Sequence, residues 1–248
     1  MMEDIVRRGR LICPIFMSPW FKTTCCRVDW LHCCDQGVAA DFQGSVWWKV
    51  LRLLPGRSRK IRCTALWAEV QAFYEAKAIG DRLQGLTVGM IKQQKKWPKL
   101  RCSAAQCRAL VPFTHGLISR YFAGDTPVEE SLRVAAGALN ACYDALSNDS
   151  IFAEDILRTE SSKFALQFCA LETVEPDTFR LKPKLHLFLH VCSDGGKPAR
   201  TWTYRDEDSG GTVAAYSHRR GGLLSVSAFS GNLLDRVRMQ PFPRVIPQ

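Results

Sequence analysis

The chain has 248 residues, 46% hydrophobic and 23% charged, which is typical of a folded globular protein and excludes a mostly disordered chain. Its longest apolar runs, such as 12–16 and 185–191, are far shorter than the ~20 residues of a membrane-spanning helix, so we expect no membrane partner. The net charge of +10 arises entirely in residues 1–101, where 18 Lys and Arg face 8 Asp and Glu. This asymmetry favours nucleic acid as a partner over solvated surface charge.

The cysteines indicate a reducing compartment. There are eleven, an odd number, and they include the adjacent pairs Cys25-Cys26 and Cys33-Cys34, which are poor partners for a disulfide framework. We therefore expect reduced thiols and an intracellular protein, with the nucleus as a candidate compartment. His32 lies in the same ten-residue segment, 25–34, as these pairs. A zinc-stabilised structural protein is therefore an alternative to the buried apolar thiols that we favour.

Apolar spacing in the first hundred residues predicts a helical hairpin. Residues 1–28 show no helical period, which predicts an irregular or strand-like entry segment. Apolar residues recur at helical spacing from Asp35 until Pro55 ends the first helix. Ser58 is placed to cap a second helix with similar spacing. The glycine-containing segment 81–100 follows, and we expect it to form a basic loop with one brief strand.

The remaining pattern predicts further helices. Residues 103–122 have helical spacing, although Pro112 should break or kink the helix near Val111. Thr126 followed by Pro127 is a typical helix start. Further elements are expected at 128–146, at 151–173, at 185–192 as a helix or a strand, and at 225–239. The sequence therefore predicts a mainly α fold, in which residues 29–248 form a single mainly helical globular domain with a few short strands.

Two basic clusters predict a nucleic-acid-binding surface. One lies at the start of the second helix, and the other surrounds Trp97 in the loop that follows. Lysine and arginine pair with phosphates at any base sequence, and a tryptophan among them can stack on an unpaired base. The alternative is a solvated loop with Trp97 packed into the core. The predicted nucleic-acid-binding residues are Arg57, Arg59, Lys60, Arg62, Lys92, Lys95, Lys96, Trp97, Lys99 and Arg101.

Two pairs of residues have the chemistry and spacing of metal ligands. Asp29 and His32 would share one side of a helical turn, unless they serve as a helix cap and a hydrogen-bonded histidine. His186 and His190 have the i, i+4 spacing of a metal pair on a helix, although a structural histidine pair fits the same spacing.

An acidic run provides a third candidate for metal binding. Asp206, Glu207 and Asp208 are consecutive, and clustered carboxylates repel one another unless a positive group joins them. Mg²⁺ is one such group, and an exposed turn neutralised by Arg205, Arg219 and Arg220 is the other interpretation. Which of the three carboxylates would be the ligand is left open.

The order of the motifs resembles a known family. The motifs are Val28-Asp29-Trp30-Leu31-His32 with Gly37, Lys182-Pro183-Lys184-Leu185-His186, and residues 202–211 followed by Arg219-Arg220. In this order they resemble an uncharacterised repetitive protein family of dinoflagellate genomes, from about Asp29 to the C-terminus. They are also distantly similar to DDE-type DNA transposases, in which a D-x-x-H motif precedes a helical insertion and a late glutamate completes the metal site.

The resemblance implies a transposase-derived DNA-binding protein with a truncated RNase H-like core and a helical insertion. It implies that Asp29, His32 and Glu207 are catalytic. It also implies that Asp29 and Glu207, with His186 near them, hold a metal ion, for which Mg²⁺ is favoured over zinc. Such enzymes need an earlier catalytic aspartate on a strand, and only Asp4 precedes Asp29, so we expect a remnant with little or no activity. A helical protein-interaction module without a nucleic-acid role is the alternative.

Overall fold

A computed structural model of the chain describes residues 18–22, 26–147, 152–194 and 196–204. These residues form helices joined by loops and contain no β-strand, so the mainly helical fold is confirmed. The brief strand expected in the loop after the second helix is wrong, because Val88–Ile91 forms one helical turn. An RNase H-like core needs a sheet, and the described residues provide none of its strands.

The chain divides into two compact units, Met1–Trp202 and Thr203–Gln248. Only residues 203 and 204 of the second unit are described, so the described helices all belong to the first unit. The acidic run at 206–208 and the helix expected at 225–239 lie outside the described residues. The predicted division between residues 28 and 29 stays a prediction.

The first unit contains a π-helix and a series of α-helices. The π-helix and α1 are continuous, and together they form the central helix, Leu31–Leu53. In chain order the elements are the π-helix Leu31–Ala39, α1 (Ala40–Leu53), α2 (Arg59–Ala76), α3 (Val88–Ile91), α4 (Ala104–Ala109), α5 (Val111–Tyr121), α6 (Pro127–Ser147), α7 (Glu154–Val174), α8 (Pro183–Ser193) and a 3₁₀ turn, Pro198–Arg200.

Local signals set most helix ends where the sequence predicts them. Ser58 Oγ accepts the Ile61 N–H, as expected of the residue that caps α2. The break before Pro112 separates α4 from α5, and Pro127 is the first residue of α6. Residues 185–192, for which the sequence predicted either a helix or a strand, lie in helix α8. The first helix begins at Leu31 rather than near Asp35, because its first turns are wound as a π-helix.

The central helix runs through the core. Its π-helical part packs against α4 and α8, and α1 packs against α2, α3 and α5. From Phe42 on α1, edge-to-face aromatic contacts reach Phe164 and Phe168 on α7, with ring centroids 5.4 and 6.0 Å away. A helix surrounded on all sides must be mostly apolar, and its few polar residues need partners. Buried Ser45 and Gln43 donate to the carbonyls of Thr178 and Cys107 accordingly.

One face of the central helix accepts hydrogen bonds from other segments at intervals of four residues. The His32 carbonyl accepts from Lys184 Nζ at 2.7 Å, and the Gln36 carbonyl accepts from Lys99 Nζ at 2.6 Å. The Ala40 carbonyl accepts from the Leu100 N–H at 2.8 Å. Groups four residues apart in a helix lie one above the other, so these bonds fasten two segments along a single face.

Gly44 lies on this face and makes the close approach possible. A Cβ atom at position 44 would overlap the backbone of Lys99 and Leu100, which no side-chain rotation could relieve. The constraint at Gly37 is weaker, since a Cβ there would lie 2.7 Å from Lys184 Cδ, an atom of a flexible side chain that can shift. Because glycine within a helix costs about 0.5–1 kcal/mol relative to alanine, its presence at position 44 is explained by this packing.

We expect Gly44→Ala to lower the free energy of unfolding by about 1–3 kcal/mol or more, because the new methyl group must displace the backbone at residues 99–100. Gly116→Ala is the matched control, since its Cβ would meet no atom within 4 Å on the exposed side of α5. That variant should gain about 0.5–1 kcal/mol. Urea denaturation measures both, and equal effects would contradict the packing role of Gly44.

Candidate nucleic-acid interface

The two predicted basic clusters meet at Trp48. Arg59, the first residue of α2, has its Cζ 4.7 Å from the centroid of the Trp48 ring. Lys92, the residue after α3, has its Nζ 5.2 Å from the same centroid. The two cations therefore cannot be farther apart than these two distances combined. Clusters that are thirty residues apart in sequence therefore meet, because each places a cation over the ring of the same tryptophan.

Four exposed cations extend this surface. Arg57 and Lys60 flank Arg59, and Lys95 and Lys96 follow Lys92 in the loop. We call the six residues the Trp48 surface: Arg57, Arg59, Lys60, Lys92, Lys95 and Lys96. No acidic residue occurs in segments 42–68 and 82–124, which carry them, so the positive charge is not offset by near neighbours in sequence.

The loop that carries Lys95 and Lys96 is closed at its neck. The Lys99 N–H donates to the Ile91 carbonyl, and the Arg101 N–H donates to the Met90 carbonyl, each at 2.8 Å. Lys95 adopts φ 58°, a left-handed turn conformation. A short loop with bonded ends and exposed lysines at its tip holds its charges outward at a defined place.

Three predicted contact residues have structural roles instead. Arg62 Nε donates to the Gly56 carbonyl at 2.9 Å, and Arg101 Nη1 donates to the Lys99 carbonyl at 3.1 Å. Lys99 Nζ donates to the central helix, and burial lowers the pKa of its ammonium group, a shift that the nearby Asp41 carboxylate opposes. These side chains fasten the loops that present the surface, so we do not count them among its phosphate-binding groups.

Trp97 matches neither of the two alternatives in full, a base-stacking residue or a residue packed into the core. Its side chain is 42% exposed, yet its Nε1–H donates to the Pro176 carbonyl at 2.8 Å. The Arg180 guanidinium covers the ring, with Cζ 5.0 Å from the centroid. Trp97 is therefore anchored by its edge to the segment after α7, and Arg180 competes with a base for one face of its ring.

Asp29 and His32 are in contact, and Asp29 has the position of a helix-capping residue. Asp29 Oδ2 lies 2.6 Å from His32 Nδ1 and accepts the His32 N–H at 3.0 Å. Glu207 lies outside the described residues, so the predicted catalytic set of three stays a prediction. Among the residues that the structure describes, no three His, Cys, Asp or Glu side chains are grouped to hold a metal ion. His186 is instead paired with His190.

Mg²⁺ prefers oxygen ligands in octahedral geometry, usually one or two carboxylates with substrate phosphates and water. Asp29 is the one described member of the predicted metal set that offers carboxylate oxygen, and its Oδ2 already bonds His32 twice. The described residues alone do not build a Mg²⁺ site around it, and we derive no reaction step through such an ion.

The cysteines that the structure describes are mostly buried. The nine described cysteines are free thiols, and Cys25 of the possible zinc cluster lies outside the described residues. Burial, together with the nearby carboxylates of Asp29 and Asp35, raises the pKa of the Cys33 thiol to about 12. Burial likewise holds the pKa of Cys34 well above its usual range. Buried thiols with raised pKa values pack as small apolar groups, and the zinc alternative stays a prediction.

The sequence did not single out Trp48. It follows Trp47 in an apolar helix, and Trp47 is fully buried, so the pair resembles ordinary core. No local pattern shows that the second ring meets cations from two other segments.

Comparisons with protein-family models, curated proteins and solved structures find no match to this chain. No helix among the described residues has the length and apolar character needed to cross a membrane. Function must therefore be argued from the surface itself.

The buried thiols should make the protein less stable at alkaline pH. The Cys33 and Cys192 thiols have pKa values of about 12 in the folded chain against an ordinary 9.0. Above pH 9 the unfolded chain loses these protons first, so stability that is complete below pH 9 is lost as pH rises towards 12. Each thiol should contribute a slope of up to about 1.4 kcal/mol per pH unit.

Urea denaturation in reductant between pH 8 and 11 measures this slope. Cys192→Ala should make the slope shallower whatever it does to absolute stability. Cys169→Ser replaces an exposed thiol and should leave the slope unchanged. Equal slopes in all three proteins would show that the buried thiols do not determine the alkaline response.

Proposed function

We propose that the chain binds nucleic acid, DNA in the first place, through the Trp48 surface and without reading base sequence. The observation that carries the proposal is the meeting of two basic clusters at one tryptophan, with Arg59 and Lys92 both within 5.2 Å of its ring centroid. Cations that lie on one surface can contact successive phosphates, whereas scattered cations cannot.

The chemistry of the surface favours contact with the backbone of the nucleic acid. Lysine and arginine pair with phosphates of any sequence, and each neutralised phosphate releases counterions from the duplex. Trp48 is 6% exposed, so it supports the cations from beneath rather than stacking on bases. We therefore propose salt-dependent, sequence-tolerant binding.

The motif order resembling DDE-type transposases is what favours DNA over RNA. On that interpretation the chain is transposase-derived, its described helices correspond to the helical insertion, and it acts by binding. The RNase H-like core and the set Asp29, His32 and Glu207 belong to the same proposal, as does a nuclear location. Binding by the Trp48 surface requires none of these catalytic residues, so it can be tested separately.

The test is a titration of duplex DNA at several salt concentrations. The variant Lys60→Gln, Lys95→Gln, Lys96→Gln removes three exposed cations and leaves Arg59 and Lys92 in place over the Trp48 ring. We expect about tenfold weaker binding or more at low salt. The slope of log affinity against log salt should become shallower by about 2–3, because roughly 0.9 unit is lost for each phosphate contact.

The control has the same change in charge at other places: Lys77→Gln at the far end of α2, and Arg158→Gln and Lys163→Gln on α7. It should retain nearly the parent's affinity and slope. Equal losses in the two variants would mean that net charge alone matters and that the Trp48 surface is not the site. If the parent chain does not bind DNA at any salt concentration, the proposal is wrong and a protein-interaction module is favoured.

A further inference from the structure

The exposed side of α8 carries a histidine pair with specific geometry. His186 and His190 have their Nε2 atoms 3.0 Å apart and their ring planes at 89°. Both side chains are exposed, whereas Leu185 and Phe188 on the same helix are buried in the core. The backbone under the pair is therefore held by core packing, and the two rings converge on one point outside the helix.

We propose that His186 and His190 form a binding site for a divalent transition metal, with Ni²⁺ and Cu²⁺ preferred. Metal–imidazole bonds are about 2.0–2.1 Å long, so two of them at a right angle place their nitrogens roughly 3 Å apart. Tetrahedral bonds would place them roughly 3.4 Å apart. The distance of 3.0 Å thus fits the right-angled positions of a tetragonal or octahedral ion.

Asp194 lies close to one of the two ligands. Its Oδ1 lies 3.8 Å from His190 Nδ1, at the C-terminal end of the same helix. A carboxylate on that side favours the tautomer with hydrogen on Nδ1, which leaves the Nε2 lone pair directed at His186. With that tautomer, His186 Nε2–H would donate to His190 Nε2 in the absence of metal. Metal binding would then require the His186 proton to move from Nε2 to Nδ1, so that both Nε2 atoms become ligands without net loss of a proton.

This site differs in chemistry from the Mg²⁺ site that the transposase resemblance implies. Neutral imidazole suits nickel, copper and zinc, whereas Mg²⁺ requires oxygen. Within the described residues no third His, Cys, Asp or Glu joins the pair, so water or an external donor would complete the coordination. The proposed ligand is thus a metal ion held by two side chains, with positions open to exchange.

The experiment titrates the full reduced chain with NiCl₂ and follows heat and backbone amide signals. We expect one site, with paramagnetic broadening that is strongest for α8. His186→Asn and His190→Asn should each weaken binding about tenfold or more, and Asp194→Asn should weaken it about tenfold while keeping one site. MgCl₂ should give no such site. These side chains are exposed, so circular dichroism should show every variant folded.

Two controls separate the pair from histidines in general. His115→Asn removes a half-buried histidine on α5 and should leave nickel affinity unchanged. His190→Asn combined with Leu187→His keeps the number of histidines but places them at adjacent positions, which do not face each other. It should bind as weakly as His190→Asn. Parent-like affinity in that variant or in His186→Asn, or broadening centred on the exposed thiols of Cys26 and Cys169, would overturn the proposal.

Discussion

The close packing of one loop against the central helix is the constraint on which the described structure depends. Gly44 presents no side chain, so the backbone at residues 99–100 approaches the helix until the Leu100 N–H bonds the Ala40 carbonyl. Lys99 then reaches the Gln36 carbonyl, one turn away. A partly buried ammonium group needs such a bond, so this lysine holds the loop against the helix rather than contributing free surface charge.

The candidate interface follows from this packing. The segment fixed at residues 99–101 also bonds Met90 and Ile91, which closes the loop and sets Lys92 beside Trp48. Trp48 is one turn beyond Gly44 on the central helix, so the contact that admits the loop also places the ring beneath its cations. Packing and charge presentation are therefore one arrangement, and a change to the first should disturb the second.

The described residues separate two kinds of chemistry. The Trp48 surface gathers hard, always-charged donors suited to phosphates. The α8 pair places two imidazole nitrogens 3.0 Å apart, a different kind of donor. Between them the core holds its thiols protonated, since burial raises the pKa of Cys33 and Cys192. The buried cysteines thus contribute packing, and the polar chemistry is left to the exterior.

The sequence by itself determined the helical class, the caps and the stops, because Ser58, Pro112 and Pro127 act on their own turn of backbone. It also determined that basic residues are concentrated in the first half and that two histidines share a helix face. Only the tertiary structure decided which cations are exposed, since Lys60 and Lys99 look alike in sequence. Their difference arises where Gly44 lets one segment approach another, and a contact between residues 44 and 99 leaves no local periodic signal in the chain.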